Sequence, residues 1–180
     1  VSNTTEAGIA YDPSCKADDM PPASFPAKLA QVLHTRWAAG KPGVIVLACE
    51  LIDHNGEELL RIMNQYVSDW GWEDEFSQWM ANDCTICTTL VDTIVPGRIR
   101  DPKEAAAVAE RLGYEDPFLA VREPFQMWGI QGDESLKERL PFVKAGLPGV
   151  FVTPDGTPYK KRKVRILNGA HTAFVPGSWV

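Results

Sequence analysis

The chain has 180 residues, of which 44% are hydrophobic and 23% charged, so it can bury the core of an ordinary domain, and general disorder is excluded. Its net charge of -6 at pH 7 argues against nucleic acid as the main partner. No apolar run is long enough to span a membrane and no signal peptide opens the chain, which predicts a cytoplasmic protein with no membrane partner. Val1 is not a start methionine and Val180 ends an apolar stretch, so we expect an internal piece of a longer chain.

The first third of the chain predicts a helix, a buried strand and a second helix. Residues 24–40 carry apolar side chains at helical spacing, and Ser24 suits the N-cap. The apolar run 44–49 is typical of a strand buried on both faces of a parallel sheet. Asn55 begins the next helix, and Glu58 three residues later completes a capping box. This order indicates half of a βαβ unit.

The remaining elements alternate in the same way. β-branched residues favour a strand over 85–95. Asp101, followed by proline and glutamate, begins a helix that ends at Gly113, and a last helix begins near Pro158. The alternation predicts an α/β fold class. Three further segments are strand candidates: 118–122, 125–130 and 149–153.

The four cysteines, Cys15, Cys49, Cys84 and Cys87, are too few for a disulfide scaffold. Cys84 and Cys87 form a C-x-x-C pair, but a zinc site usually needs two more ligands at matching spacing. We therefore predict reduced, packed cysteines and no metal site, with a zinc or redox role as the alternative.

Lys163, Asn168 and His171 are the most informative polar residues of the chain. On a regular helix, which turns about 100° per residue, His171 falls about 80° and Asn168 about 140° from Lys163, so the three can share one side. A lysine can donate a proton to a carbonyl oxygen, an asparagine amide can stabilise negative charge on that oxygen, and a histidine can hold a substrate hydroxyl. The trio suits metal-independent carbonyl reduction, and we expect Leu167 and Ala170 to pack the helix.

The same segment leaves a second interpretation open. The cations between Lys160 and Arg165 are typical of a solvated helix face, on which Asn168 and His171 would be ordinary polar residues bonded to backbone. Gly169 costs up to about 1 kcal/mol relative to alanine inside a helix. Its presence favours close approach of a ligand or of another backbone.

Five blocks of the sequence resemble the mannitol dehydrogenase family of polyol-specific long-chain dehydrogenases. The block RKVRILNGAHTAFVP matches the family's catalytic signature, which is a lysine, an asparagine five residues on and a histidine three further. The resemblance extends in the same order over nearly the whole chain, and the combination is far more specific than any single block. The other blocks are SNTTEAGI (2–9), CELIDHNG (49–56), TLVDTIVPG (89–97) and REPFQMWGIQG (122–132).

The resemblance implies roles for the trio and for the start of the chain. Lys163 would be the general acid/base, Asn168 would polarise the substrate oxygen, and His171 would bind substrate. Asn3 and Thr4 would lie near the nicotinamide end of an NAD cofactor.

Three further side chains would bind substrate. Asp92 matches a family position that faces the active centre, although a strand-end carboxylate that caps nearby amides is the alternative. Glu123 matches the family's EPF block, with a surface or turn carboxylate as the alternative. Arg165 has the guanidinium that pairs well with a uronate carboxylate.

Departures from the family pattern favour one branch of it. Glu50 and Leu51 stand where mannitol dehydrogenases tend to carry Asp-Asn, which favours the hexuronate branch. Thr88 and Thr93 occupy positions where relatives often carry asparagine and arginine, and Thr93 would remove a positive charge near the site. The implied reaction interconverts D-tagaturonate and D-altronate with NADH and NAD in hexuronate catabolism. The alternatives within the family are reduction of D-fructuronate and oxidation of mannitol or another polyol.

The chain contains no G-x-G-x-x-G turn, which would hold the cofactor pyrophosphate at a helix N-terminus. By resemblance, residues 1–155 would form the C-terminal part of a Rossmann-like dinucleotide-binding domain with extra strands and helices. Residues 156–180 would begin an all-α domain. The alternative of another class is a non-catalytic truncated domain that cannot bind cofactor. Apolar faces left uncovered in either case favour self-association.

Overall fold

A four-stranded mixed sheet forms the centre of the computed structural model, which describes residues 1–5 and 7–178. Its strands are β1 (Ile45–Ala48), β2 (Thr85–Asp92), β3 (Met127–Gln131) and β4 (Val150–Thr153). The strands lie side by side in chain order. β1 and β2 are parallel, β2 and β3 are antiparallel, and β3 and β4 are parallel.

Helices connect the strands and cover the sheet, which confirms the predicted α/β class. They are α1 (Phe25–Ala38), α2 (Asn55–Asp69), α3 (Asp74–Asn82), α4 (Pro102–Leu112), α5 (Ser135–Arg139), α6 (Pro141–Lys144), α7 (Thr157–Arg162) and α8 (Gly169–Gly177), with a π-helical segment at Lys163–Asn168 between α7 and α8. Among the described helices, none is both long and apolar enough to cross a membrane.

Two hydrophobic cores lie on opposite faces of the sheet, because successive side chains of a strand point to opposite sides. Val46 and Ala48 of β1 pack in the first core with residues of α1, α2 and α3. Leu47, between them in sequence, packs in the second core with Ile130 and Leu136. The run 44–49 is thus buried on both faces, as its composition predicts.

Asn55 joins β1, β2 and α2 instead of capping the helix with Glu58. Its Nδ2 donates to the carbonyls of Glu50 and Thr89, both at 2.9 Å, and its Oδ1 accepts from the N–H groups of Gly56 and Thr89. The predicted capping box is wrong, since Glu58 pairs with an arginine of its own helix and the N-cap position has no side-chain cap. A Cβ on Gly56 would lie 2.5 Å from the backbone of β2, so only glycine permits this close approach of α2.

Other predicted elements agree with the structure in part. Asp101 accepts from the N–H of Lys103 and Gly113 ends α4 in the left-handed conformation, as predicted. The strand predicted over 85–95 ends at Asp92. The strand predicted over 118–122 is wrong, because only Val121 forms an isolated bridge there and the local apolar side chains lack a sheet to pack on.

The last helix, α8, contacts mainly the π-helical segment that precedes it, and that segment reaches the sheet through Lys163. Leu167 is exposed and Ala170 only partly buried, so the expected packing of this helix by these two residues is wrong within the described chain. The physical reason is that the sheet lies beside the start of the segment and not beside α8.

Cys15, Cys49, Cys84 and Cys87 are buried as free thiols. Burial raises the pKa of the Cys87 thiol to about 11 and also raises that of Cys84. Both groups therefore stay protonated at neutral pH. In the ranges 1–5 and 7–178, no group of three or more His, Cys, Asp or Glu side chains is arranged to hold a metal ion.

Candidate active site

A cavity of about 430 Å³ opens at the carboxyl ends of the parallel strands β1 and β2. Its walls come from residues 50–54 after β1, residues 88–91 of β2 and the helical segment 156–168. Gly129 and Thr153 complete its lining from β3 and β4. Ligands of α/β proteins bind outside the carboxyl ends of parallel strands, so this cavity is the candidate site.

Lys163 is held against the end of β2. Its Nζ donates to the carbonyl of Val91 at 2.9 Å and lies 3.3 Å from Oδ1 of Asp92. The two charged side chains are largely shielded, with 16% and 12% exposed. The ammonium group is thus held at the cavity wall by two groups at the end of β2.

The π-helical segment places Asn168 in the lining of the same cavity as Lys163. The N–H of Gly169 bonds to the carbonyl of Val164, five residues earlier. In a π-helix, residue i+5 lies closer to the side of the helix that carries residue i than it does in an α-helix, so Asn168 comes nearer to the side of Lys163. Such π-turns are frequent at functional sites. No other backbone approaches Gly169, because an added Cβ would meet only the Val164 carbonyl at 3.8 Å.

His171 lies outside this arrangement. It is exposed on α8 and lines neither the main cavity nor the adjoining one described below. His171 lies in α8, three residues beyond Asn168, so it is displaced along the helix axis from the residues that line the cavity. Its substrate-binding role stays a prediction.

Glu50 is a buried residue of the cavity wall that the sequence analysis considered only as a branch marker. It is 3% exposed, and it accepts from the hydroxyls of Ser2 and Thr4 and from the N–H of Thr4. Burial by itself would raise the pKa of Glu50, but these hydrogen bonds outweigh burial and lower it, so the carboxylate is charged. Its position directly after a predicted buried strand was the available signal.

The segment at the start of the chain runs beside β1. Ser2 bonds through its N–H and its carbonyl to Leu47 and Cys49, as an added parallel strand would. Thr4 has both of its donors committed to Glu50, whereas the side chain of Asn3 is exposed. Of the two predicted cofactor contacts, Asn3 is therefore the more available.

A second cavity of about 410 Å³ adjoins the first, and Lys163 lines both. Asp92 and Glu123 contribute acidic groups to it. Oε1 of Glu123 accepts from the N–H of Ile94 at 2.7 Å, so this carboxylate joins two loops next to the site. That contact matches the turn-carboxylate alternative and leaves the predicted substrate role of Glu123 untested.

Asp53 and Lys160 form an ion pair between the loop after β1 and α7. Hydrogen bonding to Lys160 lowers the pKa of the Asp53 carboxyl. Both residues line the main cavity. The pair links the wall that carries Glu50 to the helix that leads to Lys163.

Two observations bear on how a dinucleotide would be held. The hydroxyl of Thr88, a residue of the cavity lining, is buried and has no hydrogen-bond partner among the described residues. The glycine-rich turn that would hold the pyrophosphate is not in the sequence. The contacts of Asn3 and Thr4 with the nicotinamide end stay predictions.

Comparisons with known proteins show the family of this domain. The family model of the mannitol dehydrogenase Rossmann domain matches residues 2–144. An altronate oxidoreductase of Yersinia enterocolitica is 46% identical over 99% of this chain, and one of Phocaeicola vulgatus is 42% identical over 100%. The chain spans only 37% and 38% of the length of these two relatives.

Two solved structures share the fold. A D-sorbitol dehydrogenase in substrate-free form superposes with a TM-score of 0.66 at 23% identity, covering 93% of this chain and 36% of the other. The Pseudomonas fluorescens mannitol 2-dehydrogenase, in a ternary complex with NAD and D-mannitol, also superposes with a TM-score of 0.66, at 24% identity, covering 93% and 35%.

The sheet, its flanking helices and the cavity at the strand ends define a Rossmann-type α/β domain. The chain belongs to the mannitol dehydrogenase family. The family resemblance predicted from the sequence is thereby confirmed.

Proposed function

We propose that this chain carries part of the active centre of a metal-independent, NAD-dependent oxidoreductase that interconverts D-tagaturonate and D-altronate in hexuronate catabolism. The observation that carries the proposal is Lys163, fixed by Val91 and Asp92 at a cavity that Asn168 also lines. The names of the relatives that are 41–46% identical support the choice of substrate.

The residues of this chain would act on a ketone bound beside Lys163. The cofactor, when bound, supplies the hydride. Lys163 donates its proton to the carbonyl oxygen, while the Val91 carbonyl and the Asp92 carboxylate hold its ammonium group in place. The amide of Asn168 stabilises the negative charge that develops on that oxygen. In the reverse direction Lys163 accepts the proton of the alcohol.

The remaining predicted site residues complete the proposal. Arg165 lines the cavity and would pair with the uronate carboxylate. His171 and Glu123 would bind substrate, and Asn3 and Thr4 would lie near the nicotinamide. Residues 1–155 would belong to the dinucleotide-binding domain, and residues 156–180 to the start of a helical domain.

The test measures NADH oxidation by the full-length protein with D-tagaturonate and with D-fructuronate. We expect turnover of D-tagaturonate and a loss of at least about a hundredfold in kcat for Lys163→Ala, since general acid catalysis contributes about 10²–10⁴-fold. Lys103→Ala is the matched control, because Lys103 is an exposed lysine at the start of α4. Its kcat should equal that of the parent.

Other outcomes would change the assignment. If the protein turns over only D-fructuronate or a polyol, the proposed oxidoreductase reaction stands and the proposed substrate is wrong. Cofactor binding without turnover of any of these compounds would contradict the proposed reaction. Failure to bind NADH would favour a non-catalytic domain.

A further inference from the structure

The charged groups around the main cavity are paired except for two cations. Lys160 is paired with Asp53, and Lys163 with Asp92. Glu50 is held by the hydrogen bonds of Ser2 and Thr4. Lys161 and Arg165 also line the cavity, and neither forms an ion pair within the part of the chain that the structure describes.

Lys161 and Arg165 stand close together on the helical segment. Residues four apart lie on one face of a helix, with Cβ atoms about 5–6 Å from each other, and two like charges at this spacing repel. The charge of Lys161 contributes to the lowered pKa of Asp155, after the hydrogen bonds that Asp155 accepts from Thr157. Asp155 and Lys161 nevertheless form no ion pair among the described residues.

Lys161 and Arg165 thus place two uncompensated positive charges at a cavity of a chain whose net charge is -6. A bound anion would remove the repulsion and gain charge-assisted hydrogen bonds from both side chains. Lys163, which lines the same cavity, would face the carbonyl of the substrate. The anionic group must then lie on another carbon of the same molecule, as in a sugar acid.

We propose that Lys161 and Arg165 together form the subsite that binds the carboxylate of a sugar acid and sets the preference for acids over neutral sugars. This inference rests on the proposed function and adds Lys161 to it as a specificity-determining residue. Lys160 is not included in the subsite, since its ion pair with Asp53 joins α7 to the loop after β1.

The experiment compares D-altronate with D-altritol, its uncharged alditol, by calorimetric titration of the full-length protein with saturating NADH, because NADH and D-altronate cannot react with each other. We expect the parent to bind the acid more tightly than the alditol. The double variant Lys161→Gln/Arg165→Gln should weaken binding of the acid by about tenfold or more, the effect of losing about one charge-assisted contact, and leave the alditol unchanged. Lys161→Arg should retain the preference for the acid.

One control variant and three outcomes separate the possible failures. Lys41→Gln removes an exposed cation that does not line the cavity and should change neither affinity. A double variant that keeps the parent's preference for the acid would overturn the subsite, even if D-tagaturonate is turned over. If the double variant loses the preference for the acid but the parent turns over no hexuronate, the subsite is supported and only the proposed reaction is contradicted. A parent that binds neither ligand would overturn both.

Discussion

Lys163 owes its position to groups that are distant in sequence. The Val91 carbonyl and the Asp92 carboxylate sit at the end of β2, whereas Lys163 begins the π-helical segment. Asp92 lies against the ammonium group of Lys163, which also lines the main cavity. The substrate-binding role that the resemblance implies for Asp92 stays a prediction, and from this contact we interpret Asp92 also as a positioning residue for the proposed proton donor.

Asp92→Asn tests this interpretation. The amide keeps the shape of the side chain but loses the charge that attracts Lys163, so we expect kcat/KM for D-tagaturonate to fall by about tenfold to a hundredfold. Steady-state kinetics and urea unfolding should be measured together, and the free energy of unfolding should change little. Asp18→Asn, at an exposed position outside both cavities, should leave kinetics unchanged. Equal kinetics for Asp92→Asn and the parent would contradict the role.

At the scale of elements, the segment after β1 determines the shape of the site. Asn55 ties the carbonyl of Glu50 to β2, and the Glu50 side chain ties down Ser2 and Thr4. Gly56 lets α2 approach the backbone of β2 closely. Because Glu50 and Asn55 are buried and hydrogen-bonded within the chain, they hold this part of the cavity wall against the strands without a ligand.

Glu50→Gln is expected to destabilise the fold by about 1–3 kcal/mol at neutral pH, because an amide cannot accept all three hydrogen bonds. The folded protein lowers the pKa of Glu50 below its usual 4.5, so its stabilisation is present above that pH. It is lost as the pH falls through the lower folded value. Urea unfolding across this range should show the difference between parent and variant shrinking in acid. A difference that stays constant with pH would contradict a charged Glu50, and Glu75→Gln, at an exposed site, serves as control.

At the scale of the whole molecule, apolar side chains are exposed on the C-terminal side of the site. Phe125 is 51% exposed and Ile166 is 66% exposed, and both line the second cavity. Phe174 on α8 is 74% exposed. Exposed apolar groups of this size, such as Phe125 and Ile166 at one cavity, are typical of a surface that another protein element covers.

We predict that the 180-residue chain by itself associates in a concentration-dependent way through this surface. The double variant Phe125→Ser/Ile166→Ser should lower the mean sedimentation coefficient toward that of a monomer, because it removes apolar area from the contact. Sedimentation velocity at several concentrations checks this. Met20→Ser changes an exposed residue outside the cavity and should not alter association. A parent that stays monomeric at all concentrations would contradict the prediction.

Local patterns in the sequence predicted α1, α2 and α4, the buried strand β1 and the family. The alternation of apolar residues, the caps at Asp101 and Gly113 and the run 44–49 depend on neighbours in the chain, so they could be interpreted without a structure. The spacing of Lys163, Asn168 and His171 likewise depends only on local order.

The tertiary structure decided which of those residues meet. Lys163 joins Asp92, Glu50 binds Ser2 and Thr4, and Asn55 bridges two strands. Such contacts depend on sheet register and on how helices pack, which single-residue patterns do not encode. Likewise, only the folded chain shows the π-helical winding that places Asn168 at the cavity. It also shows that His171 is exposed and lies outside the cavity. Both features depend on which parts of the helix pack against the rest of the chain.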